Sequence, residues 1–254
     1  VLSIFTGQFF FFFLFTAIVG LTLYEFYRLF QKAGSKPLTS TGLILGILLF
    51  IGSYLTLWGK ISVWLFATFL VAVIAVVIII AIFRKDTQGY YNLAITFLGF
   101  IYVVLPFSLL NYFAFRNGDF QKEFLLSFLF IIWIYDTFAY ITGSRIGRHK
   151  LAPKISPHKT WEGLAGGVIV AMAVGIFLLQ WAGIDQLSSR LVIIPVILLG
   201  ATLGDMSESL LKRNFKIKDS GNILPGHGGL LDRFDSLLLA APLLYIYLFF
   251  TGIF

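Results

Sequence analysis

"ISVWLFATFLVAVIAVVIIIAIF", residues 61–83, contains no charged side chain and decides the fold class of this chain. A helix needs ~20 apolar residues to cross the hydrocarbon core of a bilayer. Apart from Ser62 and Thr68 the run is continuously apolar, whereas a membrane-spanning β-strand alternates apolar and polar positions. The stretch therefore predicts a transmembrane α-helix.

The rest of the chain repeats this pattern. Of its 254 residues, 59% are hydrophobic and only 12% are charged, about half the charged share of an ordinary soluble domain. We predict an all-α, polytopic integral membrane helical bundle of about eight transmembrane helices, forming a single membrane domain over residues 1–254. The chain begins without Met in apolar sequence, so we expect that a ninth, N-terminal span precedes it. The other seven predicted spans are 3–30, 41–58, 91–115, 123–143, 163–182, 191–211 and 234–253.

Basic residues separate strongly when the loops between these spans are assigned to alternate sides. Fifteen Lys and Arg residues fall on one side and four on the other, and all three histidines join the larger group. The positive-inside rule places the larger group in the cytosol. We therefore expect a multi-pass protein of a bacterial cytoplasmic (inner) membrane, with its active site facing the cytosol.

Two polar blocks, residues 135–163 and 205–236, interrupt the apolar sequence on the predicted cytosolic side. We assign no chemistry to the first 120 residues, so we interpret 1–122 mainly as scaffold and 123–254 as the catalytic half. "RNGD" at 116–119 predicts a tight turn. The chain has no cysteine, which excludes disulfides and thiolate metal sites.

Several carboxylates lie within or beside predicted spans. Placing a charged side chain such as Asp136, Asp205 or Glu208 at the centre of a membrane helix costs roughly 2.5–3.5 kcal/mol of insertion free energy. Such residues usually mark functional cavities. Asp205 and Glu208 share a helix face at spacing i, i+3; a buried hydrogen bond between helices is the alternative.

Three aspartates, Asp219, Asp232 and Asp235, lie within 17 residues of the second block. Two carboxylates at 4 Å repel by about 4 kcal/mol at an effective dielectric of 20, and a shared cation removes this repulsion. Their hard oxygen atoms suit Mg²⁺. Helix capping by Asp232 and Asp235 is the alternative. We predict a metal site at the three aspartates, with support from Asp205 and Glu208.

Cations and glycines surround these acids. Glycines ahead of a helix can direct backbone N–H groups toward an anion, although they also suit a plain turn. Acids, cations and glycines in one loop are what a metal-bound polyphosphate requires. The residues are Lys212, Arg213, Lys216, Lys218, His227, Gly228, Gly229 and Arg233.

The first polar block combines basic residues with hydrogen-bond donors. Basicity at the membrane surface is expected from topology and from lipid head groups alone. "SPHKTWEG" is a more specific indication of a binding site, because it mixes hydrogen-bond donors and an acid at the beginning of a span. Thr160–Glu162 also suits a helix start. The residues of interest are Arg145, Arg148, His149, Lys150, Ser156, Lys159, Thr160 and Glu162.

The second block, "SLLKRNFKIKDSGNILPGHGGLLDRFDS" at 209–236, resembles the signature of the phosphatidate cytidylyltransferase (CDP-diacylglycerol synthase) family. That signature reads Ser-x-apolar-Lys-Arg, then Lys-Asp-x-Gly, then His-Gly-Gly-apolar-x-Asp-Arg-x-Asp. "YDTFAYITGSRIG", "LAPKISPHKTWEGLAGG" and "GDMSES" also resemble the family, with His158 standing where many members have Lys. The resemblance covers residues 130–240.

This resemblance implies a multi-pass enzyme that converts CTP and phosphatidate into CDP-diacylglycerol and pyrophosphate in phospholipid biosynthesis. It implies Mg²⁺ or Mn²⁺ as cofactor, and a second cation is compatible with it. Membrane lipid is the expected environment, a homodimer is compatible with the sequence, and nucleic acid is not an expected partner. The second phosphate pKa is near 6, so the attacking lipid phosphate is already ionised and needs no protein base.

We assign roles on this basis. The predicted catalytic residues are Asp219, Lys212, Arg213, His227, Asp232 and Asp235. The predicted metal ligands are Asp205, Glu208, Asp219, Asp232 and Asp235. Asp136, Arg145 and Lys150 are predicted to face the lipid phosphate. The predicted nucleotide-binding residues are Ser156, Lys159, Thr160, Glu162, Lys218, Gly228, Gly229 and Arg233. The alternatives are a related CTP-dependent lipid enzyme, such as a polyprenol kinase or a CDP-archaeol synthase, and an ion-coupled transporter.

Overall fold

The computed structural model describes residues 7–84, 87–217, 220–221 and 228–253. Within these ranges, eight helices are long and apolar enough to cross a bilayer. They are α1 (Gln8–Lys32), α2 (Thr39–Leu57), α3 (Val63–Phe83), α4 (Gly89–Ala114), α5 (Lys122–Ile146), α6 (Trp161–Trp181), α7 (Leu187–Asn214) and α8 (Leu231–Thr251). The predicted all-α polytopic fold is confirmed, and the protein is a multi-pass membrane protein.

Two short antiparallel hairpins connect helices. Strands β1 (Phe115–Arg116) and β2 (Asp119–Phe120) flank a turn in which Asn117 and Gly118 have φ of 52° and 85°. This confirms the predicted tight turn. Strands β3 (Lys150–Ala152) and β4 (Ser156–Thr160) pair with Lys150 opposite Thr160, a hairpin that hydropathy did not predict.

The chain forms two compact units. The first contains residues 1–120 and 219–233, and the second contains 121–218 and 234–254. The described residues of this part of the second polar block, 220–221 and 228–233, therefore group with the first four helices.

In the first unit, α1, α2 and α4 pack through buried aromatic side chains, among them Tyr27, Phe50 and Phe107. The Tyr27 hydroxyl donates to the Thr96 carbonyl of α4 at 2.8 Å. Helix α4 includes a π-helical turn over Phe100–Val104, directly ahead of Pro106. Proline has no N–H to continue an α-helical ladder, and a π-turn absorbs such a mismatch.

Helix α3 presents almost its entire surface outward, since only Val73 and Val77 are buried within it. Its other side chains are apolar, including Val71, Ile82 and Phe83. In a bilayer this surface faces hydrocarbon, where it costs nothing to leave uncovered.

In the second unit, α5 and α6 approach closely along a row of small residues. Gly163, Gly167, Ala171 and Gly175 are buried at every fourth position of α6. A Cβ on Gly167 would lie 2.8 Å from the Tyr135 carbonyl oxygen, so only glycine permits this approach. Small residues let membrane helices pack backbone to backbone.

Candidate functional site

The second unit gathers carboxylates from three helices. Asp136 lies on α5, Asp205 on α7 and Asp235 on α8, and each carboxylate is within electrostatic range of the other two. Asp136 Oδ2 accepts a hydrogen bond from Ser236 Oγ at 3.1 Å. Gly204 makes the arrangement possible, because a side chain there would strike the backbone carbonyls of Asp235 and Ser236.

Two lysines neutralise part of this negative charge. Lys159 Nζ lies 2.7 Å from Asp205 Oδ2, and Lys212 Nζ lies 2.5 Å from Glu208 Oε2. Lys159 also interacts electrostatically with Asp136, and Lys212 with Asp235. Among these described side chains, four carboxylates face two ammonium groups, leaving two excess negative charges when all are ionised. A divalent cation carries the charge that would balance this excess.

The first polar block is organised by Thr160 and Glu162. Thr160 Oγ1 accepts a hydrogen bond from Gly163 N at 3.1 Å and caps α6, as in the alternative interpretation of Thr160–Glu162 as a helix start; the nucleotide-binding role stays a prediction. Glu162 accepts from the backbone N–H groups of Arg148 and His149, at 3.1 and 3.2 Å. His149 Nδ1 lies 2.6 Å from Glu162 Oε1. Together these bonds fix the loop between α5 and β3.

The other predicted residues of this unit occupy its polar surface. Arg213 Nε donates to the Ile155 carbonyl at 3.4 Å, which ties the end of α7 to the β3–β4 hairpin. Ser156 is half-buried on β4, and Arg145 and Lys150 are exposed. The structure thus groups Asp136 with the acids of α7 and α8. The predicted lipid-phosphate role of Asp136, Arg145 and Lys150 remains a prediction.

In the first unit, Asp232 organises the loop before α8. Its Oδ2 accepts hydrogen bonds from Ser220 N at 3.0 Å, Ser220 Oγ at 2.8 Å and Gly229 N at 2.9 Å. Gly228 has φ of 80°, a left-handed conformation that favours glycine. Arg233 is exposed. Asp232 therefore joins the two sides of the segment 222–227, and its predicted metal-binding role remains a prediction.

Glu25 also contacts this loop, although sequence reasoning assigned it no role. It is the only acidic residue of α1 and is 2% exposed. Its Oε2 accepts the backbone N–H of Leu231, the first residue of α8, at 2.9 Å. The signal was present in the sequence, because a lone carboxylate in an apolar span is a functional candidate by default.

Three predicted residues, Lys218, Asp219 and His227, lie outside the described residues. Within the described ranges, no group of three or more His, Cys, Asp or Glu side chains is close enough to hold a metal ion. The oxygen donors of Asp136, Asp205 and Asp235 nevertheless have the chemistry that Mg²⁺ accepts, and Mg²⁺ commonly uses one or two carboxylates together with waters and substrate phosphates.

The fold and the charged residues together define a multi-pass membrane protein with partly neutralised carboxylates on three of its helices. Residues 1–251 match the sequence model of the cytidylyltransferase family. The chain belongs to this family and is a nucleotidyltransferase, which confirms the resemblance drawn from residues 209–236.

Curated relatives agree with this membership. The chain is 39% identical over 180 residues to a phosphatidate cytidylyltransferase of Staphylococcus haemolyticus, covering 70% of this chain and 68% of the relative. It is 39% identical over 203 residues to a protein of the same name from Bacillus subtilis, covering 75% and 68%. A Staphylococcus aureus protein of that name is 37% identical over 180 residues.

Proposed function

We propose that this chain transfers the cytidylyl group of CTP to phosphatidate, giving CDP-diacylglycerol and pyrophosphate. The observation that carries the proposal is its membership of the cytidylyltransferase family over residues 1–251, with relatives named for this activity. Lys159 and Lys212 of the second unit suit a reaction in which both substrates are anionic, provided that a cation balances the excess of carboxylates around them.

In this reaction a phosphate oxygen of phosphatidate attacks the α-phosphorus of CTP. A new P–O bond forms, the bond between the α-phosphorus and the bridging oxygen breaks, and pyrophosphate leaves with the bonding electrons. The attacking phosphate is already ionised near neutral pH. The chain's task is therefore to orient two anions and to neutralise their charge.

Lys159 and Lys212 suit this task. Each ammonium group is held by a carboxylate, and the two lysine side chains are only partly exposed, at 25% and 17%. A lysine ammonium is a common point-charge ligand for phosphate. We propose that both lysines contact substrate phosphates while Asp205 and Glu208 keep them in place.

In the second unit, Asp205 and Asp235 are the residues that would hold Mg²⁺ or Mn²⁺, whereas the metal-binding roles of Asp219 and Asp232 stay predictions from the sequence. A bound divalent cation would supply further neutralisation of the triphosphate. We further propose that the site faces the cytosol of a bacterial inner membrane, because fifteen of nineteen basic residues are assigned to that side.

The test uses purified protein in detergent with CTP labelled at the α-phosphate. We expect labelled CDP-diacylglycerol and one pyrophosphate per lipid when phosphatidate is present, and loss of both products with EDTA. Label transfer to an isoprenoid acceptor but not to phosphatidate would contradict the proposed substrate. Solute transport without CTP consumption would contradict the enzymatic proposal.

Lys212→Gln tests the proposed phosphate contact, with Lys216→Gln as its control. Lys216 lies one turn further along the chain and is exposed. We expect Lys212→Gln to lower kcat/KM for CTP about tenfold or more, whereas Lys216→Gln stays within about twofold. Equal losses of kcat/KM for CTP in both variants would show that the loss comes from the general positive charge of the surface and not from a specific contact of Lys212.

A further inference from the structure

The buried carboxylate of Glu25 is the feature of the supposed scaffold that the reaction scheme does not use. A carboxylate removed from water is strongly destabilising unless hydrogen bonds or charges compensate it. Glu25 receives the N–H of Leu231 at 2.9 Å, although the two residues are 206 positions apart in sequence. Leu231 begins α8, where backbone N–H groups lack partners within the helix and the helix dipole is positive.

The backbone around Glu25 is shaped to admit this side chain. A Cβ on Gly221 would lie 2.7 Å from Glu25 Cδ, and a Cβ on Gly229 would lie 2.7 Å from Glu25 Oε2. Any larger residue at position 221 would displace the carboxylate, and one at position 229 would also strike Ser220 Oγ. The two glycines flank the segment 222–227, so Glu25 contacts both sides of it and the helix that follows.

Asp232 complements Glu25 in the same unit. Asp232 joins Ser220 to Gly229 through its Oδ2 atom, and Glu25 lies against Gly221, Gly229 and Leu231. Two carboxylates thus hold the described ends of the glycine-rich loop (residues 220–230), namely residues 220–221 on one side and Gly229 on the other. One belongs to the polar block itself and the other is supplied by α1.

We infer that Glu25 is a positioning residue for nucleotide binding: it fixes the ends of the glycine-rich loop and the start of α8. The inference rests on the proposed function, because Gly228 and Gly229, which we assign to CTP, lie in that loop directly before α8. Glu25 acts through the loop backbone and needs no contact with either substrate. Its loss should therefore weaken the use of CTP and leave the use of phosphatidate unchanged.

The experiment measures KM for CTP, KM for phosphatidate and kcat for Glu25→Ala, Glu25→Gln and the wild type. We expect Glu25→Ala to raise KM for CTP about tenfold or more, with KM for phosphatidate and kcat within about threefold. Glu25→Gln keeps an oxygen acceptor for Leu231 N–H and should restore KM for CTP to within about threefold. Thr22→Val, at a fully buried residue of the same helix, should leave all three constants unchanged.

An unchanged KM for CTP in Glu25→Ala, or an equal rise in both KM values, would overturn the inference. If Glu25→Ala does not fold, Gly221→Ala replaces it, because its new methyl group displaces the same carboxylate. We expect the same selective rise in KM for CTP in Gly221→Ala, and a wild-type value would refute the assignment. Where both variants fold, the double variant should be no worse than Glu25→Ala alone, since removing the carboxylate makes room for the methyl group.

Binding of CTP with Mg²⁺, without lipid, separates this inference from the proposed function. We expect CTP to raise the melting temperature of the wild type in detergent, and to raise it less in Glu25→Ala. An inactive wild type that shows this difference would contradict the phosphatidate reaction and support the positioning role. Equal shifts in the two proteins, or no shift in the wild type, would overturn the positioning role.

Discussion

Lys159 is the residue whose charge is placed most directly among the acids of α5 and α7. It pairs with Asp205 at 2.7 Å and interacts with Asp136. Removing its charge leaves those carboxylates repelling each other and repelling an anionic substrate. The effect should exceed that of losing an ordinary surface ion pair, which contributes about 0–1 kcal/mol.

We predict that Lys159→Gln lowers kcat/KM for CTP about tenfold or more. Lys154→Gln is the matched control, because Lys154 lies in the same β3–β4 region and is exposed. Steady-state kinetics with both variants, at saturating phosphatidate, provide the measurement. Similar values for the two variants would contradict the role of Lys159.

Asp232 combines a structural contact with a predicted metal-binding charge, and two substitutions separate them. Asp232→Asn retains an oxygen acceptor for Ser220 and Gly229, whereas Asp232→Ala removes three hydrogen bonds. We expect Asp232→Ala to lower the free energy of unfolding by about 2 kcal/mol, and Asp232→Asn to lower it by less than half as much. Thermal unfolding in detergent measures both.

Both Asp232 variants should lose most of their activity if the carboxylate charge also serves the metal. Near-normal turnover by Asp232→Asn would restrict Asp232 to the loop contacts seen in the structure. That result would leave Asp205, Asp219 and Asp235 as the candidate metal ligands.

At the scale of elements, hydropathy predicted all eight helices but not their ends. Helix α7 begins at Leu187 and ends at Asn214, whereas the predicted span was 191–211. Hydropathy reports what suits lipid, while a helix continues through polar residues as long as its hydrogen bonds do. The β3–β4 hairpin was missed for a related reason, since its polar residues carry no hydropathy signal.

The close packing of α5 against α6 explains why small residues recur along α6. We predict that Gly167→Val destabilises the protein by about 1–3 kcal/mol, because the added side chain overlaps the Tyr135 carbonyl. Ile169→Val is the control, since Ile169 is 69% exposed on the same helix. Melting temperatures in detergent test this, and equal values for the two variants would contradict the packing argument.

The candidate site was only partly predictable at the element scale. Asp136, Asp205 and Glu208 were identified because carboxylates are rare in apolar spans, and Asp235 was identified from its cluster with Asp219 and Asp232. The structure places Asp136, Asp205, Glu208 and Asp235 on α5, α7 and α8 of one unit. Glu25 could have been singled out as a lone carboxylate in an apolar span, but its partner Leu231, 206 residues later, could not be predicted. Sequence periodicity describes neighbours along one helix and says nothing of such a distant contact.

For the whole molecule, the charge distribution predicts how the chain crosses the membrane. The chain lacks cysteine, so single cysteines can be introduced without other changes. Lys154→Cys and Lys216→Cys lie in predicted cytosolic loops, and Lys60→Cys and Asp185→Cys lie in predicted external loops. All four positions are exposed.

We expect a membrane-impermeant thiol reagent to label the first pair only in inverted vesicles and the second pair only in intact cells. The asymmetry follows from the retention of Lys- and Arg-rich loops on the cytosolic side. Labelling of both pairs from one side would show that the number of membrane crossings is wrong. Reversed labelling would contradict the cytosolic assignment of the site.

The bond between Glu25 and Leu231 also has a consequence for biosynthesis. A ribosome adds Leu231 long after Glu25 has entered the membrane, so the loop acquires this anchor only when the last helix emerges. Nascent chains that stop before α8 are therefore expected to lack CTP binding even though most of their helices are inserted. The ability to bind CTP would then arise in a single late step of synthesis.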